Sequence, residues 1–223
     1  ALTDCLADAG YTGSGGSVSA CAAGKYKSEA AQDAESDCEL CPGGKYKSEA
    51  GQDALSDCDN CPQGTYGILT GRVAEGNCIT CSKGTYGDEE GQNSCTNCPS
   101  GTYGINTGRT SEIQCPKCPA GKFANASTHD TRRGECEDCG VGRYAANDGQ
   151  AKCNLCPKGR FSSVTGLLSC DVCSIGLIAV ARGLTACSRC PPGRVNNDPY
   201  ATNAGLHDDV SDCVACPSGK FSS

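Results

Sequence analysis

The chain has 223 residues, 22 cysteines, no tryptophan or methionine, and a net charge of −7. With three phenylalanines and eight tyrosines it cannot build a sizeable shared apolar core, and this share of cysteine is typical of a disulfide scaffold. The acidic charge argues against nucleic-acid binding, and no stretch approaches the roughly 18 apolar residues of a membrane span.

Tandem repeats account for most of the chain. Residues 1–20 are predicted to be an irregular segment or a degenerate repeat, and residues 21–223 hold about ten and a half repeats of 17–26 residues. Ten Cys-x-x-Cys pairs mark the repeats: Cys38/Cys41, Cys58/Cys61, Cys78/Cys81, Cys95/Cys98, Cys115/Cys118, Cys136/Cys139, Cys153/Cys156, Cys170/Cys173, Cys187/Cys190 and Cys213/Cys216.

The residues between the pairs repeat as well. A glycine falls three residues after the second cysteine, and a ring or branched aliphatic side chain two residues later, as in Gly24 and Tyr26. A proline often follows the second cysteine, and Pro-x-Gly predicts a tight turn. Because the ring is the one large apolar group that recurs in the unit, we expect it to pack on the adjacent disulfide.

Zinc binding and redox chemistry are the alternatives to structural disulfides. Two Cys-x-x-Cys pairs at this separation also fit a zinc ribbon, but four-cysteine sites would consume pairs two by two and double the period. A thioredoxin-like role needs the motif at the start of a helix in a βαβ unit, which this chain lacks. We therefore predict disulfides, with no metal and no cofactor.

The period favours one connectivity among several. Joining each second cysteine to the next first cysteine gives a ladder with a period of one repeat, whereas an interlocked scheme would double the period. Pairing within each motif also keeps the period but closes only small loops, and sequence alone does not fix the choice. The favoured ladder is Cys21–Cys38, Cys41–Cys58, Cys61–Cys78, Cys81–Cys95, Cys98–Cys115, Cys118–Cys136, Cys139–Cys153, Cys156–Cys170, Cys173–Cys187 and Cys190–Cys213.

The N-terminal segment agrees with this ladder. The preceding second-cysteine position falls at Asp8 and the first-cysteine position at Val18, so both ends of one rung are missing together. Cys5 and Cys216 are left unpaired or linked outside this chain. Either the sequence is a segment of a longer array, or Cys216 of one molecule joins Cys5 of the next in a head-to-tail polymer.

The unit Cys-x-x-Cys-Pro-x-Gly-x-[Tyr/Phe], with a later glycine before the next pair, resembles the ephrin-receptor-like cysteine-rich repeat, a relative of tumour-necrosis-factor-receptor and EGF-like modules. The resemblance covers about residues 19–223. It implies a small disulfide-rich all-β fold, a tandem array of short β-hairpin repeats stacked into an elongated rod. Long runs of such repeats are similar to parts of protist and algal surface proteins, including flagellar-hair (mastigoneme) shafts.

No catalytic constellation is recognisable, and we predict that the protein is not an enzyme. The two histidines, His129 and His207, lie outside the repeat pattern and are expected at the surface. Asn125 begins an Asn-Ala-Ser sequence and is a candidate N-glycosylation site. The run 122–133 and the loop between Cys190 and Cys213 break the spacing, and we expect lateral contacts or decoration there.

These features predict a secreted, extracellular or cell-surface structural protein, a stiff disulfide-stapled rod in a filament, stalk or surface coat. Its partners would be other protein chains, either copies of itself or further repeats of a longer chain, with glycans as candidate additions. The alternative is the stalk or ligand-binding ectodomain of a cell-surface receptor or adhesin. Specific binding would predict an exposed apolar patch on one or two divergent repeats.

Overall fold

Nearly every repeat is built on a short antiparallel hairpin whose return strand is the pair of residues between the two cysteines of a Cys-x-x-Cys motif. In the repeat that begins at Cys98, a single bridge between Thr102 and Lys117 takes the place of this hairpin. The computed structural model describes residues 6–14, 16–125 and 135–217. In the first full repeat Lys25 pairs with Leu40 and Tyr26 with Glu39. The turn before the first strand contains Gly24 with φ +78°, which glycine adopts without steric cost.

Twenty short strands form ten separate two-stranded sheets in the described part of the chain. The paired strands are β1 (Tyr11–Ser14) with β2 (Ser17–Ala20), β3 (Lys25–Tyr26) with β4 (Glu39–Leu40), β5 (Lys45–Tyr46) with β6 (Asp59–Asn60), β7 (Thr65–Tyr66) with β8 (Ile79–Thr80), β9 (Thr85–Tyr86) with β10 (Thr96–Asn97), β11 (Lys122–Phe123) with β12 (Glu137–Asp138), β13 (Arg143–Tyr144) with β14 (Asn154–Leu155), β15 (Arg160–Phe161) with β16 (Asp171–Val172), β17 (Leu177–Ile178) with β18 (Ser188–Arg189), and β19 (Arg194–Val195) with β20 (Val214–Ala215). The predicted all-β array of hairpins is confirmed.

Single 3-10 turns explain the two commonest loop lengths. Most disulfide loops have a sequence separation of 17 or 14 residues. The four loops of 17 residues each contain a 3-10 turn just before the first cysteine of the next pair, and the loops of 14 residues contain none. The 3-10 turns of the described residues are Glu35–Asp37, Leu55–Asp57, Glu75–Asn77, Glu112–Gln114, Ala204–Leu206 and Val210–Asp212.

A side chain at the end of the turn holds it in place. The Asp57 carboxylate accepts hydrogen bonds from the backbone N–H groups of Asp53 and Ala54 at 3.2 and 3.0 Å, and Asn77 and Asp212 do the same in their own loops. The Asp57-Cys58 and Asp212-Cys213 sequences therefore end capped turns, since the carboxylate satisfies N–H groups that the short turn leaves open.

The repeats form two compact units. Among the described residues, unit 1 contains 6–14, 16–98 and 104–115, and unit 2 contains 99–103, 116–125 and 135–217. Unit 1 holds the hairpin β1–β2 and five disulfides, from Cys21–Cys38 to Cys98–Cys115; unit 2 holds the other five. The division of the chain at residue 20 stays a prediction.

The core of each unit consists mainly of half-cystines. Cys21 and the second cysteines of the pairs from Cys41 to Cys173 are at most 2% exposed, whereas Cys190 and Cys216 are only partly buried. Tyr86 of unit 1 clusters with the half-cystines Cys98 and Cys115 of the next repeat. In unit 2, Phe123 packs in the same way against the cluster that contains Cys139 and Cys153. At these two positions the expected packing of ring on disulfide is confirmed, and the disulfide comes from the following repeat.

Candidate functional site at the junctions between repeats

Ten disulfides connect the described repeats in one continuous series. They join Cys21–Cys38, Cys41–Cys58, Cys61–Cys78, Cys81–Cys95, Cys98–Cys115, Cys118–Cys136, Cys139–Cys153, Cys156–Cys170, Cys173–Cys187 and Cys190–Cys213. Each bridge runs from a second cysteine to the next first cysteine and closes one repeat. Three residues of main chain then lead to the next bridge, so disulfides and Cys-x-x-Cys segments alternate along a single covalent path.

Two cysteines, Cys5 and Cys216, lie outside this series. Cys216 is a partly exposed free cysteine, and its backbone N–H donates to the carbonyl oxygen of Gly193 at 2.9 Å. Cys5 lies outside the described residues. Within the part of the chain that the structure describes, no group of three or more His, Cys, Asp or Glu side chains could hold a metal ion.

Three backbone hydrogen bonds recur at the junction between neighbouring repeats. In unit 1 the Gly24 N–H donates to Lys47 O at 2.9 Å, the Lys27 N–H to Gln52 O at 3.0 Å, and the Gly51 N–H to Cys21 O at 2.9 Å. In unit 2 the Gly142 N–H donates to Ser162 O, the Ala145 N–H to Leu167 O, and the Gly166 N–H to Cys139 O, at 2.8 to 3.0 Å. The hairpins, each too short to be stable alone, are therefore connected to one another through their loops.

Close contact between glycines accompanies these hydrogen bonds. In most repeats the glycine after the second cysteine faces the carbonyl oxygen of a later glycine, two repeats further along the chain. Gly159 faces Ala204 O instead, and a Cβ atom on Gly176 or Gly193 would have no atom within 4 Å. A Cβ atom built on Gly24 would lie 2.5 Å from Gly71 O, and one on Gly142 would lie 2.2 Å from Gly183 O. Glycine is therefore required here for its missing side chain as well as for its positive φ.

The described part of the N-terminal segment, residues 6–14 and 16–20, repeats this junction without a disulfide. The Gly10 N–H donates to Lys27 O at 2.9 Å, and the Ala31 N–H donates to Ala7 O at 2.8 Å, as Gly51 does to Cys21. Ala7 is buried and therefore occupies the backbone position of a second cysteine. The assignment of that position to Asp8 was wrong by one residue, because the sequence offset of three residues to the glycine points to Ala7.

The long loop between Cys190 and Cys213 makes a different junction. The Gly176 N–H donates to the side-chain oxygen of Asn196 at 2.7 Å, where other repeats offer a backbone carbonyl. The Ala179 N–H donates to His207 O at 2.8 Å, in the role that Gln52 O has for Lys27. The Asn196 side chain and the His207 carbonyl group thus replace the backbone carbonyl groups that accept these two hydrogen bonds in a regular repeat.

Three polar side chains are buried in this long loop. Asn196, Asp198 and His207 are each at most 5% exposed. His207 Nε2 lies 3.3 Å from Asp198 Oδ2, and its Nδ1 lies 2.8 Å from Leu177 O and close to Asn196 Nδ2. The Nε2 side of the ring faces the Asp198 carboxylate, to which an Nε2–H group donates. The expectation of a surface histidine at position 207 was therefore wrong.

The Asp198 carboxylate is held by donors from its own loop. The Asn203 and Thr202 N–H groups donate to Oδ2 at 2.8 and 2.9 Å. The backbone donor of Asn203, followed by the His207 ring and the Thr202 N–H, lowers the pKa of Asp198 below its ordinary value. No repeat spacing pointed to this cluster, because the inserted residues have no counterpart in the other repeats.

Of the other positions that the sequence singled out, some lie within the described residues and some do not. Asn125 is exposed at the end of the segment that follows β11, whereas Ser127 of the same glycosylation sequence and His129 lie outside the described residues. Only part of the irregular run 122–133 is therefore described. Its Lys122 forms a 2.9 Å ion pair with Asp138, across the hairpin β11–β12.

Comparison with protein families agrees with this architecture. A family model described as tyrosine-protein kinase ephrin type A/B receptor-like matches residues 29–75, 70–115 and 126–173. No curated protein matches the chain. In the described part of the chain, no helix has the length and apolar character that crossing a membrane would require.

Proposed function

The chain belongs to the tyrosine-protein kinase ephrin type A/B receptor-like family, and from this premise we propose that it is a structural ectodomain of a filament, stalk or surface coat. Cysteine-rich repeats of this kind are extracellular, receptor-type or structural modules. The proposed role is mechanical: the array is a stiff rod that resists extension. A flagellar-hair shaft is one assembly that such a rod would serve.

The connectivity of the disulfides is the observation that supports this role. Tension applied along the chain passes through each bridge and then through three residues of main chain, so the residues of each loop carry no load. A bridge spans 5.7 Å between the Cα atoms of Cys21 and Cys38, and three extended residues span about 10 Å. From Cys21 to Cys216 the loaded path is therefore about 160 Å long, against about 680 Å for the reduced chain.

Single-molecule pulling tests this proposal. The chain is held through handles fused at both of its ends and is stretched first without and then with a reducing agent. The proposal predicts that the segment from Cys21 to Cys216 stops extending at about 160 Å without reductant and reaches about 680 Å after reduction. Full extension without reductant would contradict a load path through the disulfides.

Two double variants provide matched controls for the pulling experiment. Cys61→Ser with Cys78→Ser opens a loop of 17 residues and is expected to add about 55 Å, whereas Cys139→Ser with Cys153→Ser opens a loop of 14 residues and adds about 40 Å. Equal added lengths in the two variants would contradict the proposal, because the length that an opened loop adds should depend on its number of residues.

The proposed partners are copies of the same chain or further repeats of a longer chain. The thiol of Cys216 is partly exposed and is available for a disulfide to a following repeat or to Cys5 of a second copy. Non-reducing electrophoresis of the wild type and of Cys216→Ser tests the second case. A ladder of covalent multimers in the wild type, lost in the variant, would support a head-to-tail polymer.

The second candidate function is the stalk of a cell-surface receptor or adhesin, and the receptor named in the family description supports it. The exposed Asn125 is a proposed glycan site in either case. Monomeric protein that captures a soluble ligand would favour the receptor stalk over the filament, whereas long polymers isolated from the native source would favour the filament.

A further inference from the structure

Positive charge is concentrated in one part of this acidic chain. Between Cys139 and Arg194 there are seven basic residues and two acidic ones, a local charge of +5 in a protein whose net charge is −7. The basic residues are Arg143, Lys152, Lys158, Arg160, Arg182, Arg189 and Arg194, and the acidic residues are Asp148 and Asp171. All of them belong to unit 2.

Four consecutive hairpins each have one arginine in the equivalent cross-strand pair. This pair is formed by the first residue of the first strand and the second residue of the return strand. In each pair the opposite residue is apolar: Arg143 pairs with Leu155, Arg160 with Val172, Arg189 with Leu177, and Arg194 with Ala215. In the preceding hairpin of unit 2 the same pair is Lys122 with Asp138, which form an ion pair. The four arginines, here called the arginine row, therefore have no carboxylate as their cross-strand partner.

Backbone carbonyl groups hold three of these guanidinium groups. Arg160 Nη1 donates to Cys170 O at 2.7 Å, Arg194 Nη1 to Cys213 O at 3.0 Å, and Arg143 Nη1 to Cys153 O at 3.3 Å. A carbonyl oxygen accepts a hydrogen bond but does not neutralise the charge. Since a guanidinium has five N–H donors, others are left to bind an anion.

Two grooves next to the row are lined by cations and by no carboxylate. The first, of about 520 Å³, is lined by Arg143, Lys152 and Arg182 together with Tyr144 and Leu155, among others. The second, of about 380 Å³, includes Arg189 and Arg194 in its lining. Lys152 and Arg182 are exposed, and neither forms an ion pair with any residue that the structure describes.

We propose that the arginine row and its grooves bind an acidic polysaccharide, a linear sugar polymer that carries sulfate or carboxylate groups at regular intervals. One arginine per repeat offers regularly placed cations to a polymer with regularly placed anions, and weak contacts of this kind add up along a chain. The planar fork of arginine suits both sulfate and carboxylate oxygens. The inference goes beyond the mechanical role and would attach the protein to a polysaccharide coat or matrix.

Single-stranded nucleic acid is disfavoured by the side chains at the ring position of the same repeats. Bases bind proteins largely by stacking on exposed aromatic rings. Here Tyr144 and Phe161 are half-buried, and the next two repeats have Ile178 and Val195 at this position. The surface therefore provides cations but no fully exposed ring at this repeat position.

Binding to immobilised polymers at an ionic strength of about 0.15 M tests the proposal. The probes are heparin for sulfate groups, polygalacturonate for carboxylate groups, and dextran as the uncharged polymer. The test variant combines Arg143→Gln, Lys152→Gln and Arg182→Gln, and the matched control combines Lys25→Gln, Lys45→Gln and Lys83→Gln in unit 1. Both triple variants lose the same charge.

We expect the wild type to bind heparin, polygalacturonate or both, but not dextran. The test variant should bind at least about tenfold more weakly, because exposed charge contacts each contribute modestly and three are lost, whereas the control should stay within about twofold of the wild type. The polymer that binds identifies the anionic group. Absence of binding to either acidic polymer, equal losses in both variants, or tighter binding of single-stranded DNA would overturn the proposal. The force-extension result does not depend on any of these outcomes.

Discussion

Gly64 lies against the carbonyl group of Gly108 within unit 1, so closely that a Cβ atom on Gly64 would stand 2.5 Å from the carbonyl oxygen. The two glycines belong to repeats that are not neighbours in sequence, and the repeat between them contributes the hydrogen bond from the Gly64 N–H to Gly87 O at 2.8 Å. Through contacts of this kind a repeat packs against both of the two repeats that follow it.

Replacement of Gly64 by alanine should therefore weaken unit 1. The left-handed φ of +78° alone costs an alanine about 1–2 kcal/mol, and the contact with Gly108 adds to that cost. Gly76→Ala is the control, because a Cβ at Gly76 has no atom within 4 Å and its φ is not positive. Denaturant unfolding measures both variants, and equal stability of the two would show that the contact is unimportant.

Ala31 offers a substitution in the opposite direction. It occupies the position of Gly51 in the preceding, nearly identical repeat, and its φ of +65° is left-handed. Ala31→Gly should raise the free energy of unfolding by up to about 1 kcal/mol, because the relief of strain exceeds the added chain entropy. Ala30→Gly, at the exposed neighbouring position, should instead lower the stability slightly or leave it unchanged.

Removal of a single disulfide should open the array locally. For Cys61→Ser with Cys78→Ser, the chain-entropy model predicts a loss of about 3 kcal/mol for a loop of this length. The Gly91 N–H, which donates to Cys61 O, should lose protection in hydrogen exchange, whereas the Gly166 N–H of unit 2 should keep it. Equal loss of protection at both amides would mean that the whole chain unfolds as one cooperative body.

The buried cluster of the long loop predicts a dependence of stability on pH. Because the pKa of Asp198 is lowered in the folded protein, chiefly by the Asn203 N–H, its carboxylate stabilises the fold above the ordinary pKa of about 3.9. That contribution is lost as the pH falls through the lower pKa of the folded state. Asp198→Asn should therefore reduce the Tm at neutral pH, and this reduction should shrink at an acidic pH below about 3.9, as the carboxylate of the folded protein becomes protonated.

The matched control for this measurement is Asp171→Asn, an exposed carboxylate of β16 outside the cluster. It should change the Tm little at either pH. A Tm difference between wild type and Asp198→Asn that does not shrink in acid would contradict the assigned role of the carboxylate.

The sequence predicted the covalent order of the molecule better than its junctions. The period of the cysteines favoured one ladder, and the pairing found in the structure, from Cys21–Cys38 to Cys190–Cys213, coincides with it. The hairpins were predicted only from the family resemblance, because strands of two residues are too short to show an alternating strand pattern in the sequence. The bonds between repeats involve backbone groups of residues as different as Lys27 and Ala145, so composition gave no signal for them.

His207 shows why the long loop could not be predicted. Its position outside the repeat pattern suggested a solvated side chain. The loop instead folds back and places the carbonyl oxygen of His207 where Gln52 O lies in a regular repeat. Burial of the ring follows from that backbone hydrogen bond and from the carboxylate of Asp198. Both depend on the length of the loop rather than on a local motif.

Peptide mapping under non-reducing conditions, with free thiols alkylated beforehand, tests the central claim most directly. Proteolysis between the cysteines and mass spectrometry of the linked peptides should recover the bridges from each second cysteine to the next first cysteine, including Cys41–Cys58 and Cys156–Cys170. Bridges within the Cys-x-x-Cys motifs, or alkylation of most of the cysteines, would contradict the ladder and with it the mechanical role.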